Sequence, residues 1–339
     1  MKILILGGTG FISSKVVLKL LSAGHEVHLF TRGISKRDFD KQNLHFIRGN
    51  RDSIKDLISA AQKQYDVVYD FIAYKPEHTL HAVKAFKDRT SRFIHCSTIS
   101  VYMISREVSI PITEDQSDAP VMEFWDRNPF GMGYGINKRR CEDILWKEHS
   151  DKFPVTVIRP TFVCGPADPA RRDYFWIERI MDGQPLLVPG HGEHKFQNIY
   201  IEDLAGIFAK VIETDITIGQ SYNAADDHIL SLNTYLALLG DILDKQIELV
   251  HCDINTFDKL PFSYSTVADV FPFNTRKHAV FSLEKIKKDI NYSSTPIKEW
   301  MTKTVEWFLQ NDKSHSAGYS RRNEELTFIK NMLTNKSKI

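Results

Sequence analysis

The hydrophobic positions in the first hundred residues fall into short continuous runs separated by segments of helical periodicity. The runs scarcely alternate with polar residues, which is typical of strands buried on both faces of a parallel sheet. The segments between them place apolar residues three and four apart, as in helices with one buried face. We therefore predict strands over residues 3–6, 27–30, 44–47, 67–72 and 93–96, and helices over residues 11–22, 54–62 and 78–86.

A glycine-rich turn lies between the first predicted strand and the first predicted helix. Gly7 permits a tight turn, and Gly10 keeps a side chain away from a phosphate group lying close to the backbone. The helix that follows points unpaired N–H groups at such a phosphate. A turn without a ligand is the alternative, but its place between strand and helix favours a dinucleotide site. The predicted contacts are Gly7, Thr9, Gly10, Phe11 and Ile12.

The alternation continues with a helix over residues 134–148 and a strand over residues 155–158, and then breaks up among prolines and glycines. This order predicts an α/β fold, a Rossmann-type doubly wound parallel sheet with a smaller C-terminal substrate-binding lobe. We expect the NAD(P)-binding Rossmann domain over residues 1–165 and mainly the lobe over residues 166–313, with some segments returning to the sheet. Residues 314–339 form a C-terminal tail, expected to be peripheral or partly disordered.

Composition excludes several classes of protein. The 339 residues carry 44 basic and 43 acidic side chains, a net charge of +1, so no overall field attracts nucleic acid or an anionic membrane. The first eight residues have a strand pattern rather than that of a signal peptide, so a cytoplasmic location is expected. The four cysteines lack close spacing, which predicts buried free thiols and neither a disulfide framework nor a metal site.

The end of the second predicted strand indicates which dinucleotide binds. An enzyme that prefers NAD usually has an acidic residue there to hold the ribose 2′-hydroxyl, but this chain has Arg32. A guanidinium suits the 2′-phosphate of NADP, and Lys36 and Arg37 could assist. We therefore expect NADP to be preferred and keep NAD as the other possibility. Asn50 and Arg51, after the third strand, are expected near the adenine.

Tyr134 and Lys138 lie four residues apart at the start of a predicted helix, so they share one face. Lowering a tyrosine pKa from about 10 to about 7 requires roughly 4 kcal/mol. An exposed lysine supplies only about 0–1 kcal/mol, so a cationic nicotinamide and exclusion of water must add the rest. Thr98, at the end of the fifth strand, could donate to a substrate oxygen. A surface pair and an ordinary polar strand end are the alternatives.

Four ordered motifs together carry a resemblance to a known superfamily: residues 7–13, residues 97–102, Tyr134 with Lys138, and residues 159–166. They resemble the extended short-chain dehydrogenase/reductase superfamily, of the NAD-dependent epimerase/dehydratase type. The resemblance implies that Tyr134 is the acid/base, that Lys138 holds the nicotinamide ribose, and that Thr98 is the catalytic hydroxyl. It also implies cofactor contacts from Ala73, Pro160 and Val163.

Two departures concern the substrate. Phe196 occupies the position where nucleotide-sugar enzymes carry a diphosphate-binding arginine, although Lys195, His194 or Arg172 could substitute. Ile99 and Ser100 stand where a dehydratase of this type has acidic residues, which disfavours dehydration. His191 and His194 have no third ligand in the sequence, so no metal site is predicted. The predicted substrate contacts are Thr98, Ser100, Phe162, Arg172, Lys195 and Gln197.

The sequence therefore predicts NAD(P)-dependent hydride transfer at a secondary alcohol or ketone of a sugar or nucleotide-sugar-like substrate. A reductase or dehydrogenase and an epimerase share this chemistry, and the sequence does not separate them. Arg32–Gly33, Asn50–Arg51 and Gln197 before Asn198 also resemble an atypical branch that includes chloroplast stem-loop RNA-binding proteins. A non-catalytic NAD(P)-binding or regulatory protein of the same fold is thus the alternative. A homodimer is expected only by analogy with such folds.

Overall fold

The computed structural model describes residues 1–34, 39, 42–124, 131–261, 271–273, 276–311, 314–316 and 318–336. The chain forms two compact units. Unit 1 comprises Met1–Phe162, Ile201–Ala225 and Phe281–Ser293. Unit 2 comprises Val163–Tyr200, Asp226–Val280 and Ser294–Ile339.

The strands of the described residues are β1 (Lys2–Leu6), β2 (Glu26–Thr31), β3 (Leu44–Arg48), β4 (Tyr65–Asp70), β5 (Thr90–Cys96), β6 (Val155–Pro160), β7 (Phe162–Cys164), β8 (Leu186–Pro189), β9 (Asn198–Tyr200), β10 (Gln220–Ala224) and β11 (Leu249–Cys252). The α-helices are α1 (Phe11–Ser22), α2 (Ile54–Ala60), α3 (Pro76–Phe86), α4 (Ser100–Met103), α5 (Met132–Glu148), α6 (Arg172–Met181), α7 (Ile201–Lys210), α8 (Leu232–Leu243), α9 (Ile254–Phe257), α10 (Glu284–Ile290), α11 (Ile297–Asn311) and α12 (Arg322–Lys336). Short 3-10 turns occur at Glu114–Asp118, Asp215–Thr217 and Tyr319–Arg321.

Unit 1 is built on a seven-stranded parallel sheet in the order β10-β6-β5-β4-β1-β2-β3. The strand order reverses between β1 and β4, so the crevice at their carboxyl ends is where ligands bind in such sheets. Helix α1 packs beside α7, and α3 packs beside α5. The predicted α/β fold with a doubly wound parallel sheet is confirmed.

The core of this sheet follows from its apolar runs, with one exception. Residues 3–6 of β1 are fully buried, as expected for a central strand covered on both faces. The expectation of burial on both faces is wrong for the third strand, β3. That strand forms an edge of the sheet, and Phe46 is 61% exposed. The apolar residues of β3 therefore indicated a strand but not its position at the edge of the sheet.

Unit 2 contains two small pairs of strands, β8 with the parallel β11, and β7 with β9. The first turn of α12, which lies in the predicted C-terminal tail, is packed within unit 2. Arg322 and Glu325 at the start of α12 are buried, and they pair with Asp182 and Arg179 at 2.9 Å and 3.1 Å. Among the described residues, no helix combines the length and apolar character needed to cross a membrane.

Candidate active site

The glycine-rich turn adopts a backbone that only glycine tolerates well. Gly7 has φ +105° and Gly8 has φ +98°, both in the left-handed region. The Gly7 N–H donates to the Phe30 carbonyl at 3.0 Å, which anchors the turn to β2. A Cβ on Gly8 would lie 2.6 Å from Leu29 Cδ2, so the turn also packs directly on that strand. The turn therefore combines positive φ with close backbone approach.

Ser13 stands where the glycine pattern has its last glycine, and its hydroxyl works inside the turn. It accepts the Gly10 N–H at 3.1 Å, and the side chain is buried. Thr9, Phe11 and Ile12 are half-buried around it. The N–H groups of the first helical turn have no partner within the helix and point out of its end. This geometry suits an anionic diphosphate beside Gly7–Ile12.

Arg32 lies just beyond β2, at the site predicted to select the dinucleotide. It is exposed, and among the described residues it forms no hydrogen bond or ion pair. The Thr31 hydroxyl accepts the Gly33 N–H at 3.1 Å, which shapes the turn around it. Lys36 and Arg37, which were expected to assist, lie outside the described residues.

The segment after β3 has a more structural character than the sequence indicated. Arg51 is 6% exposed and donates to the Asp70 carboxylate at 2.5 Å and to the His78 carbonyl at 2.9 Å. Its charge is thus already compensated inside unit 1. The Asn50 N–H donates to Asp56 at 2.8 Å, and Ser53 caps α2. A cofactor contact from Asn50 and Arg51 stays a prediction.

The three predicted catalytic side chains lie within unit 1. Tyr134 and Lys138 are one turn apart on α5, and Thr98 follows the end of β5. Thr98 forms a side-chain hydrogen bond with Tyr134, and its hydroxyl also donates to the Ser100 hydroxyl at 3.3 Å. Tyr134 is 41% exposed, whereas Thr98 and Ser100 are buried. A phenol and two hydroxyls therefore form one polar group at the carboxyl end of β5.

Lys138 is buried and has three acceptors. Its ammonium donates to the Ala73 carbonyl at 2.9 Å and to the Cys96 carbonyl at 2.7 Å, and it lies 3.0 Å from His95 Nε2. Burial lowers the pKa of Lys138. It also lowers the pKa of His95 well below its ordinary value, helped by the positive charges of Lys138 and Arg51. A neutral His95 that presents Nε2 as the acceptor fits this geometry.

Tyr134 is protonated in this structure at neutral pH. Although the whole residue is 41% exposed, desolvation of its hydroxyl group raises the pKa of Tyr134 above the ordinary range. The Cys96 and Tyr74 groups add to this rise, and the hydrogen bond with Thr98 opposes it. The phenol is thus in its acid form, ready to donate a proton. Ionisation at neutral pH needs additional positive charge near the ring. Sequence reasoning missed His95, Cys96 and Tyr74; only the run into the end of β5 could have indicated the first two.

A buried ion pair joins α5 to β6. Arg159 on β6 is 1% exposed and donates to the Glu142 carboxylate on α5 at 2.5–3.1 Å. Arg159 also donates to the Tyr102 hydroxyl, and the Ser97 hydroxyl donates to Glu142. These contacts join β5, β6 and α5 one turn away from Lys138. Sequence reasoning did not identify Glu142, because its partners lie far away along the chain.

Four predicted site residues lie at or after the end of β6, two of them in unit 1 and two in unit 2. The Pro160 carbonyl accepts the Ile99 N–H at 3.1 Å, which ties the end of β6 to the Thr98 segment. Phe162 is half-buried and ends the first segment of this unit. Val163 and Arg172 belong to unit 2, where Val163 is nearly buried and Arg172 lies 3.4 Å from Asp168.

Lys195, Phe196 and Gln197 lie side by side in unit 2. The Lys195 N–H donates to His278 Nδ1 at 3.0 Å. Gln197 is 3% exposed, and its amide donates to the Asp226 carbonyl at 2.8 Å. Phe196, which the resemblance aligns with a diphosphate-binding arginine, is buried and stacks on Phe273 with ring centroids 5.3 Å apart. Substrate contacts from Lys195 and Gln197 stay predictions.

Comparison with known proteins establishes the family. The sequence model of the NAD dependent epimerase/dehydratase family matches residues 3–225, well over half of the chain. The chain belongs to this family. The resemblance noted in the four ordered motifs is therefore confirmed.

The named proteins that this chain resembles in sequence differ in the activities their names describe. The chain is 29% identical over 305 residues to the chloroplast stem-loop binding protein of 41 kDa b of Arabidopsis thaliana, covering 84% of this chain and 73% of that protein. It is 24% identical to the dTDP-D-glucose 4,6-dehydratase of Bos taurus, covering 91% of this chain and 89% of that enzyme. One of these two relatives is thus named as a sugar-nucleotide dehydratase and the other as a stem-loop binding protein.

Solved structures of epimerases share the fold. The UDP-glucose 4-epimerase of Thermotoga maritima, solved with UDP-glucose, aligns with a TM-score of 0.70 at 19% identity over 91% of this chain and 99% of that one. The UDP-glucuronic acid 4-epimerase of Bacillus cereus, solved with NAD, has a TM-score of 0.70 at 21% identity, with the same coverage. At these identities the likeness confirms the architecture alone.

Proposed function

We propose that this chain is an NAD(P)-dependent enzyme that transfers a hydride at a secondary alcohol or ketone of a sugar or nucleotide-sugar-like substrate. The observation that carries the proposal is the grouping of Thr98, Tyr134 and Lys138 at the carboxyl end of β5. A protein with only a binding role has no need for a buried ammonium beside a hydrogen-bonded phenol. Family membership supports the same conclusion.

The residues present fit a dinucleotide. The positive-φ turn at Gly7 and Gly8 and the start of α1 would hold the diphosphate, while Ala73 and Pro160 would border the nicotinamide. Exposed Arg32, with no acidic residue at the end of β2, favours NADP over NAD. When bound, the nicotinamide ring would supply hydride acceptance and donation, and its positive charge in the oxidised form.

The chain's own groups would handle the proton. Tyr134 Oη, protonated in the structure, would donate a proton to the substrate oxygen in the direction of reduction. In the direction of oxidation it must first ionise, which the Lys138 ammonium favours once burial excludes water from the site. Thr98 Oγ1, hydrogen-bonded to Tyr134, would hold the same oxygen in line. Ala73, Cys96 and His95 fix the position of Lys138.

The substrate proposal is narrower than the family name. Relatives named as dTDP-glucose and UDP-sugar enzymes support a sugar nucleotide. Buried Phe196 argues against an arginine-like diphosphate contact at that position. Ile99 and Ser100 after Thr98 offer no carboxylate for dehydration. We therefore propose reduction or epimerisation rather than dehydration.

The experiment combines a substrate panel with matched tyrosine variants. UDP- and dTDP-hexoses and their 4-keto forms are incubated with the protein and with NAD⁺, NADP⁺ or NADPH, and followed by absorbance at 340 nm and by NMR of the sugar. Tyr134→Phe should lower turnover at least about a hundredfold with little change in nucleotide affinity. Tyr74→Phe is the control, because Tyr74 is a neighbouring phenol that is 52% exposed. Equal activity of wild type and Tyr134→Phe would refute the acid/base role.

Binding of a nucleic-acid stem-loop, which we take to be RNA, is a second candidate, favoured by the Arabidopsis relative named as a stem-loop binding protein. The net charge of +1 argues against it. It predicts affinity for an RNA stem-loop that falls steeply with salt and is unchanged in Tyr134→Phe. A gel-shift titration at 50 mM and 200 mM salt that detects no complex would exclude it.

A further inference from the structure

A group of polar side chains lies at the end of the sheet opposite the glycine-rich turn. Glu26 and His28 are the first and third residues of β2, so their side chains share one face. The parallel register places His45 of the edge strand β3 directly beside His28. The three side chains therefore project together near the amino ends of these strands, whereas the dinucleotide turn follows the carboxyl end of β1.

Their potential ligand atoms lie close together. His28 Nε2 is 2.7 Å from Glu26 Oε1, and His45 Nε2 is 3.8 Å from the same oxygen. The two imidazoles stack with centroids 4.6 Å apart, and one ligand atom from each of the three residues lies within 4.8 Å of the others. Bonds of about 2.0–2.1 Å in a tetrahedral zinc site put ligand atoms roughly 3.3 Å apart. The observed distances lie on both sides of that value.

Burial of His28 separates this group from an ordinary surface cluster. His28 is 3% exposed, and its Nδ1 has no hydrogen-bond partner. The contact of its Nε2 with Glu26 is thus the hydrogen bond that fixes the ring, and Nδ1 is a buried ring nitrogen left without a partner. Tyr65 packs against it in an edge-on arrangement with ring centroids 5.4 Å apart, and the buried Tyr65 hydroxyl also has no hydrogen-bond partner. Glu26 and His45 remain partly exposed, which leaves a path for an ion and for water ligands.

We propose that Glu26, His28 and His45 bind a divalent transition-metal ion of the zinc type and thereby fasten the edge strand β3 to β2. Two imidazoles and one carboxylate form a ligand set that such ions accept, with open positions for water. Among the described residues this is the group of three whose ligand atoms meet in one place. The site is independent of the proposed hydride transfer.

A neighbouring cation modulates the site and provides a test of charge. Lys2 on β1 pairs in register with Glu26, and its ammonium lies 5.7 Å from the Tyr65 ring centroid. A nearby positive charge opposes a divalent cation. Lys2→Met should therefore increase metal affinity, whereas loss of a ligand should decrease it.

The test titrates Zn²⁺ into the full chain after treatment with a chelator, by calorimetry and by thermal unfolding. Wild type should bind Zn²⁺ and unfold at a higher temperature with it. His45→Gln and Glu26→Gln should each lose one binding equivalent or at least about tenfold in affinity, together with the thermal shift. His228→Gln is the matched control and should leave Zn²⁺ binding unchanged. His228 also contacts a carboxylate, that of Asp226 at 2.7 Å, but this pair includes no second imidazole. Zn²⁺ binding by His45→Gln equal to that of wild type, or no Zn²⁺ binding by wild type, would overturn the proposal.

Discussion

Removing the charge of Glu142 should destabilise unit 1 severely. Both members of the pair are almost fully buried, and Arg159 makes three contacts of 2.5–3.1 Å with the carboxylate. Glu142→Gln keeps the volume but leaves a buried guanidinium with neutral acceptors, the Tyr102 hydroxyl and the Glu114 carbonyl. Breaking one side of such a pair costs about 3–5 kcal/mol. A whole domain is stable by only about 5–15 kcal/mol.

Urea denaturation followed by circular dichroism measures this loss. Asp143→Asn is the control: Asp143 is the next residue of α5 and is exposed, so its change should stay within about 0.5 kcal/mol. The double variant Glu142→Leu with Arg159→Met should recover part of the stability, because apolar residues then replace both charges. A Glu142→Gln variant as stable as Asp143→Asn would refute the assigned role of the pair.

Three further variants test local geometry. Gly8→Ala should lower the free energy of unfolding by about 2–4 kcal/mol and weaken dinucleotide binding, because positive φ and contact with Leu29 both oppose a Cβ. Gly133→Ala is the control and should change neither quantity, because the space around Gly133 is open. Urea denaturation measures the stability and NADPH fluorescence the binding. Burial raises the pKa of Asp173 to about 6, so the folded state binds this proton more tightly than the unfolded state does. The resulting stabilisation of the folded state is complete below about pH 4, and about 3 kcal/mol of it is lost as the pH rises through 6. Asp173→Asn should flatten that pH dependence in urea denaturation, and an unchanged profile would contradict the assignment. His95→Leu should weaken dinucleotide binding, measured by calorimetry, by removing one acceptor of Lys138; unchanged affinity would contradict this.

Much of unit 1 follows from local patterns. The apolar runs became β1 to β5 and the segments between them became helices, because buried parallel strands and amphipathic helices leave distinct signals. The apolar run of β3 could not show that this strand lies at an edge of the sheet, because its burial depends on which strands and helices lie beside it. Strand β10, with the sequence Gln-Ser-Tyr-Asn-Ala, has no apolar run and was not predicted. Its pairing with β6 depends on tertiary contacts.

The site divides in a similar way. Tyr134, Lys138 and Thr98 could be selected because their spacing and place after a strand carry chemical meaning. The three acceptors of Lys138 include two backbone carbonyls, which no side-chain motif records. The Arg51–Asp70 pair joins the segment after β3 to the end of β4, two strands that follow each other in the chain but are not neighbours in the sheet. Likewise, Glu26, His28 and His45 meet only once the register of β2 and β3 is known.

The ionisation of Tyr134 tests the central claim most directly and requires no substrate. Phenolate absorbance near 295 nm is followed against pH for wild type and Tyr134→Phe, each with and without saturating NAD⁺ or NADP⁺. The difference between the two proteins isolates one of the 12 tyrosines. The account predicts that the oxidised cofactor lowers the pKa of this tyrosine by at least about one unit, equivalent to about 1.4 kcal/mol. A shift that persists in Tyr134→Phe, or no cofactor-dependent shift in wild type, would contradict it.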